Sequence, residues 1–156
     1  MSSVAYAETP LFNQPARWYI DKAELPWAIL SLVIVLIYTA SYWLDWSYLK
    51  LVFPLILICQ VLTAAGLAYW SFVGQLGWAQ TVVVASLVGM AGGLVSAVAA
   101  LIRFWYPWLF FNLLAEPVWS GLLNPLVAII CLGFFRLPHW AGRVNQNTKS
   151  SIDQAD

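Results

Sequence analysis

The stretch AQTVVVASLVGMAGGLVSAVAALI, residues 79–102, is the part of the sequence that most strongly indicates the fold class. It holds 24 consecutive residues without a charge, enough for a helix to cross a hydrocarbon core of about 30 Å. Small residues recur at every fourth position and therefore share one face of that helix. They are Ala85, Gly89, Gly93 and Ala97. Such a bare face lets a second helix approach backbone to backbone, as GxxxG faces do in bilayers. The stretch is therefore predicted to be the packing centre of a small membrane protein.

The composition of the 156-residue chain indicates that lipid is the solvent for most of its surface. Apolar residues make up 62% of the chain and charged residues 9%, whereas a soluble domain carries roughly a quarter charged residues. Seven basic residues balance seven acidic ones, which leaves no basic field for nucleic acid. The N-terminus lacks a basic segment leading straight into a short apolar core, so the first span is expected to be retained. The expected partners are the lipid bilayer and other membrane subunits or further copies of the chain.

Four apolar runs predict an all-α integral membrane protein with four transmembrane helices in an up-down bundle. The predicted spans are residues 27–44, 51–73, 79–102 and 118–135. A short interfacial helix is expected at residues 17–24, and an aromatic interfacial or re-entrant segment at 104–116, between spans three and four. The resulting organisation is an N-terminal cytoplasmic or interfacial segment (1–25), a transmembrane domain (26–136) and a polar cytoplasmic tail (137–156).

The ten tryptophans support this division into spans. All of them fall at or near a predicted span end, as expected for aromatic belts at the two membrane surfaces. They are Trp18, Trp27, Trp43, Trp46, Trp70, Trp78, Trp105, Trp108, Trp119 and Trp140.

The basic residues predict the orientation. Lys50 and Arg103 lie at one side of the predicted bundle, and the other five basic residues lie at the opposite side. Those five are Arg17, Lys22, Arg136, Arg143 and Lys149. The positive-inside rule then places both termini in the cytoplasm, with the chain in the plasma (inner) membrane.

Polar residues near mid-membrane are the candidates for a ligand-binding or pore site. They are Gln60, Thr63, Ser96 and Asn124. One interpretation is structural: in lipid, such groups form interhelical hydrogen bonds that contribute about 0.6 kcal/mol on average. The other is a small polar site, which Pro125 favours because it removes the hydrogen bond to the Gly121 carbonyl and exposes that group beside Asn124.

The predicted spans contain no Asp, Glu, Lys, Arg or His, which argues against a proton relay or an ion-coupled pump acting alone. Arg103 and Glu116 bracket the aromatic segment, where they are expected either to form an ion pair or to extend separately toward water. His139 is the only histidine, which excludes a bis-histidine haem or a histidine metal cluster within one chain. No catalytic residue, metal or cofactor is therefore expected.

Three functions are consistent with these patterns. The favoured one is a non-catalytic accessory or assembly subunit, whose smooth apolar spans and small-residue face pack against other transmembrane helices. The second is a small oligomeric transporter or channel, which requires the polar residues to converge. The third is a membrane enzyme or lipophilic-ligand binder that uses the aromatic segment as a pocket wall and takes its reactive groups from a cofactor or partner.

The predicted orientation can be tested by cysteine labelling. In a background with Cys59→Ala and Cys131→Ala, a cysteine at position 47 should react with an impermeant maleimide added outside intact cells. A cysteine at position 150 should react only after the cells are permeabilised, because the termini are predicted to be cytoplasmic. Labelling of both positions from the same side would contradict the four-span topology.

Overall fold

The chain is all-helical over the part that the computed structural model describes, residues 14–152 apart from positions 46 and 75 and the side chains at 48, 49, 108 and 138–152. Its long helices are α1 (Ala16–Trp43), α2 (Phe53–Val73), α3 (Trp78–Phe104) and α4 (Asn112–Ile152). A π-helical turn, Tyr48–Val52, precedes α2, and a 3-10 turn, Pro107–Phe111, precedes α4. Each long helix contains a segment long and apolar enough to cross a membrane. The prediction of an all-α chain with four such helices is confirmed. The side chain of His139 lies outside the description.

The predicted interfacial helix at residues 17–24 is not a separate element. α1 runs without interruption from Ala16 to Trp43 and contains Pro26. A proline inside a helix removes one backbone hydrogen bond without necessarily ending the helix, and here it leaves the Lys22 carbonyl without its usual donor. With 28 residues, α1 is about 42 Å long. Its polar first turns and its apolar span are therefore parts of one rod.

The corner between α3 and α4 also differs from the prediction. Trp105 ends α3 in a left-handed conformation with φ 50°, and Pro107 then opens the 3-10 turn. α4 already begins at Asn112. The apolar stretch of membrane-spanning length, Leu109–Leu137, includes the end of the 3-10 turn and the first part of α4. Residues 104–116 thus form a short corner followed by the first turn of α4, and Glu116 lies inside a helix of membrane-spanning length. Helical structure continues through most of the predicted polar tail, to Ile152.

The helices are not arranged in chain order. α3 packs most extensively on α4 and then on α1, while α2 packs mainly on α4. α2 and α3 follow one another in the chain but touch only slightly. The order around the bundle is therefore α1, α3, α4, α2, and α3 has two packed faces.

The small-residue stripe of α3 lies against the backbone of α4. A Cβ atom placed on Gly93 would lie 2.7 Å from the Glu116 carbonyl oxygen and 2.8 Å from Pro117 Cα. One placed on Gly89 would collide with the Ser120 carbonyl oxygen. Ala85 and Ala97, which complete the stripe, are fully buried. The two backbones meet at a distance that no side chain on these glycines would allow.

Two further glycines also lie where helices approach closely, one against α1 and one between α3 and α4. Gly92 lies on a different face of α3, and a Cβ there would lie 2.6 Å from Leu30 Cδ2 of α1. Gly121 of α4 receives Met90 of α3, whose Cγ would collide with an added Cβ. α3 and α4 therefore interlock in both directions, and α1 fits into the second bare face of α3.

Gly93→Leu should destabilise the bundle strongly, because the new side chain forces α4 away from α3. Overpacking of this kind costs about 1–3 kcal/mol or more. The matched control is Gly66→Leu on α2, where an added Cβ would meet no atom within 4 Å and the expected change is within about 0.5 kcal/mol. The measurement is the free energy of unfolding in detergent or bicelles. Equal stability of the two variants would contradict the backbone contact.

Candidate functional site

A column of polar side chains runs along the face of α4 that contacts α3. Glu116, Ser120 and Asn124 follow one another at intervals of four residues and so lie one above the other. Ser120 and Asn124 are each 1% exposed, and Glu116 is half-buried. These three residues, called here the polar column, face the α3 surface that carries Gly89 and Gly93. The missing side chains of α3 are what allow polar groups to fit at this interface.

The Glu116 end of the column is linked to α3 and, through α3, to α1. The Ser96 hydroxyl donates a hydrogen bond to Glu116 Oε1 at 2.9 Å. The Tyr38 hydroxyl lies 3.3 Å from Ser96 Oγ. Because serine has a single hydroxyl proton and directs it at Glu116, the Tyr38 hydroxyl is the donor to Ser96. A chain of hydrogen bonds therefore runs from α1 through α3 to the Glu116 carboxyl group.

The middle of the column is linked to α2. Gln60 Nε2 donates to Ser120 Oγ at 2.9 Å, and Gln60 is 3% exposed. The column thus receives hydrogen bonds directly from α2 and α3, and α1 is linked to it through Ser96. Gln60 and Asn124 both face the bundle interior, one of them hydrogen-bonded to the column and the other part of it.

Several polar atoms of the column have no hydrogen-bond partner among the described residues. They are Glu116 Oε2 and both side-chain atoms of Asn124, Oδ1 and Nδ2, all of them buried. Buried polar groups are hydrogen-bonded in the great majority of cases, and one left unpaired costs about 1–3 kcal/mol. Pro125 in addition leaves the Gly121 carbonyl without its helical donor. The column therefore has free donors and acceptors beyond those that hold the helices together.

Thr63 and Arg103 do not join the column. The Thr63 hydroxyl donates to the Cys59 carbonyl of its own helix at 2.8 Å. Arg103 Nη2 donates to the Ser41 carbonyl of α1 at 3.1 Å and lies 3.7 Å from an Asp45 carboxylate oxygen. The expected Arg103–Glu116 ion pair does not form, because Arg103 turns to α1 at the helix end while Glu116 points into the bundle.

The sequence contains a pattern that indicates this site, but the pattern is visible only when the spacing of several residues is considered together. Glu116, Ser120 and Asn124 form a polar stripe with the same four-residue spacing as the small-residue stripe on α3. Such a stripe on an apolar helix predicts a buried polar face. It was hidden because the fourth span was expected to start after Glu116. Tyr38 gave no signal of its own, since a tyrosine near a span end is typical of the aromatic belt.

The chain matches no protein-family model, no curated protein and no solved structure. Among the residues that the structure describes, no three His, Cys, Asp or Glu side chains lie together in a way that could hold a metal ion. Among the described residues, the polar column is the feature whose chemistry indicates a function.

Asn124→Leu should leave the free energy of unfolding unchanged or raise it, because it removes a buried amide that has no partner. Gln60→Leu is the matched comparison. It removes the hydrogen bond to Ser120 and should lower stability by about 0.6 kcal/mol. Both substitutions exchange an amide for an apolar side chain of similar size, so unfolding measurements in bicelles compare them directly. A larger loss for Asn124→Leu would show that Asn124 has a structural partner.

Proposed function

We propose that the chain is a small four-span membrane transporter or channel, and that the polar column holds a small cation or hydrogen-bond-donating solute during passage. The observation that carries the proposal is that Glu116 Oε2 and the Asn124 amide, about two turns apart on the same face of α4, are both buried without a partner among the described residues. Polar residues that serve only to join helices use their atoms on one another. Here the joining is done by Ser96, Gln60 and Tyr38, and the remaining atoms are available to a ligand.

The chemistry of the free atoms indicates what would bind. Glu116 Oε2 and Asn124 Oδ1 are acceptors, so they favour a positive charge or a hydrogen-bond donor. Ionisable residues at membrane depth commonly mark ion pathways and proton relays. Glu116 and Asn124 are eight residues apart on α4, or about 12 Å along the axis. The tight contact of α3 with α4 restricts the solute to a small ion, the proton included, or a molecule close to water in size.

The proposed topology is an up-down bundle in the plasma (inner) membrane with both termini in the cytoplasm. Contacts between helix ends support the alternation. Arg103 at the end of α3 contacts Ser41 at the end of α1, and Arg136 of α4 contacts the Leu76 carbonyl in the connection from α2 to α3. The excess of basic residues near the termini supports the orientation. In this arrangement the Glu116 end of the column faces the outside.

The other two interpretations each lose one feature that favoured them. The small-residue stripe, which suggested an accessory or assembly subunit, is covered by α4 of the same chain. The aromatic segment, which suggested the pocket wall of an enzyme or lipophilic-ligand binder, forms the corner between α3 and α4. The transporter or channel is the interpretation that required polar residues from different helices to converge, and Gln60 and Ser96 both reach the column.

The test is transport by the purified chain in proteoliposomes. Electrical currents on a solid-supported membrane are recorded with a panel of H⁺, Na⁺, K⁺, ammonium and methylammonium gradients. Glu116→Gln keeps the size of the side chain and an acceptor for Ser96 but removes the negative charge, and it should reduce the current about tenfold or more. That factor corresponds to a loss of about 1.4 kcal/mol of ion binding. Glu24→Gln, on an exposed part of α1, is the control and should transport normally.

Two results would count against this function. One is a chain, folded in the same vesicles, that passes no current for any cation in the panel and raises the water permeability no more than empty vesicles do. The other is a current that Glu116→Gln leaves unchanged. A larger membrane protein recovered with the chain in stoichiometric amounts from mild detergent would instead favour the accessory subunit.

A further inference from the structure

A groove lies on the outside of the bundle between α1 and α2. α1 contacts α2 much less than it contacts α3, and the space between them is about 430 Å³. Its walls are apolar, with Leu25 and Ile29 from α1 and Leu67 from α2. Gly66 opens its floor, since an added Cβ there would meet no atom within 4 Å. Leu25 and Ile29 are more than half exposed. The groove is therefore shaped for a flexible apolar chain lying along the bundle.

One end of this groove is charged. Asp21 and Lys22 line it there, next to Trp70. The Lys22 ammonium lies 5.3 Å from the centre of the Trp70 ring and 5.9 Å from that of Trp18. These cation–π contacts hold the ammonium at the mouth of the groove. Neither the Lys22 ammonium nor the Asp21 carboxylate forms a hydrogen bond or ion pair with another described residue.

Pro26 adds an acceptor to the same end. It lines the groove, and its ring nitrogen cannot donate to the Lys22 carbonyl one turn before it. The mouth therefore presents a cation, an anion and a free carbonyl within about one turn of α1. Tryptophan and lysine together at a helix end are typical of the headgroup level of a membrane. The apolar part of the groove extends from there toward Ile29 and Thr63.

We infer that this groove binds one phospholipid whose zwitterionic headgroup carries a primary ammonium, as in phosphatidylethanolamine. The phosphate lies at the Lys22 ammonium, and the lipid ammonium lies at the Asp21 carboxylate and the Lys22 carbonyl. One acyl chain follows the apolar walls over Gly66. This site is on the outside of the bundle and is independent of the polar column.

The charges at the mouth select this headgroup over two others. A choline headgroup has the same charges, but its quaternary nitrogen has no N–H to donate to Asp21. An anionic glycerol headgroup satisfies Lys22 but brings no cation to Asp21, so the two negative groups repel. The gain or loss of one hydrogen bond to a charged group corresponds to a preference of about tenfold or more.

The experiment is native mass spectrometry of the full chain in micelles, titrated with phosphatidylethanolamine, phosphatidylcholine and phosphatidylglycerol of identical acyl chains. Phosphatidylethanolamine should bind about tenfold more tightly than phosphatidylcholine. Lys22→Gln should weaken the binding of all three lipids, because each carries the phosphate. Asp21→Asn should reduce the preference for ethanolamine over choline severalfold, because the charged acceptor is lost while the Lys22 carbonyl remains. Glu24→Gln and Lys50→Gln are the matched controls for loss of one charge elsewhere and should bind as the parent does.

A third variant separates the groove from the charges. Gly66→Leu adds a side chain to the floor at a position where a Cβ meets no atom within 4 Å, so it should displace the lipid while the unfolding temperature stays within a few degrees of the parent value. Equal affinities for the three lipids, tighter binding of phosphatidylglycerol, or an ethanolamine preference that is undiminished in Asp21→Asn would each overturn the inference. None of these results depends on transport through the polar column.

Discussion

The direct contact between the backbones of α3 and α4 at Gly89 and Gly93 is the constraint on which the rest of the structure depends. Between helices in lipid there is no hydrophobic driving force, since lipid tails are as apolar as leucine side chains. What holds the helices together is close packing, and close packing needs small residues. Gly89 and Gly93 bring α3 against Ser120 and Glu116, and the order of the other helices follows. α1 fits the second bare face of α3 at Gly92, and α2 is left to pack on α4.

That same contact creates the polar column. The α4 face that meets the glycines carries Glu116, Ser120 and Asn124, so close approach buries a carboxyl group and an amide that would otherwise face lipid or water. Hydrogen bonds from Ser96 and Gln60 offset part of the cost. The rest of the cost persists in the unpartnered atoms of Glu116 and Asn124. Groups that lower stability in this way persist more readily where they serve a function than where they serve packing alone.

α1 contributes side chains to both polar regions of the molecule, one from its inner face and one from its outer face. Near its C-terminal end, Tyr38 reaches inward to Ser96 and so to the column. Near its N-terminal end, Lys22 faces outward between two tryptophan rings. A single continuous helix can do both because residues sixteen positions apart in the chain lie about 24 Å apart along its axis. The bundle therefore has a polar interior region toward one end and a charged outer region toward the other.

The sequence by itself determined the class of the protein and the features that depend on local pattern. The order of apolar residues along the chain is enough to show four segments of sufficient length to span a membrane. Each of them is expected to be a helix, because every backbone polar group in lipid must be satisfied within its own helix. The four-residue spacing of Ala85, Gly89, Gly93 and Ala97 shows a bare face without reference to any other helix. Gln60 and Asn124 stood out because an amide is rare in an apolar run. All of these are properties of one segment at a time.

Tertiary structure decided which faces meet, and this depends on pairs of segments. The stripe of α3 is covered by α4 rather than by a partner protein, since the reciprocal fit of Met90 onto Gly121 exists only between these two helices. Helix ends were also decided this way: Pro26 is accommodated inside α1, and α4 begins early enough to carry Glu116 into the bundle. The sequence predicts that Glu116 and Arg103 are two charges at the same membrane surface. In the folded chain they point to different helices, because the direction of a side chain is fixed by the rotation of its helix against its neighbours, which the sequence of a single helix does not specify.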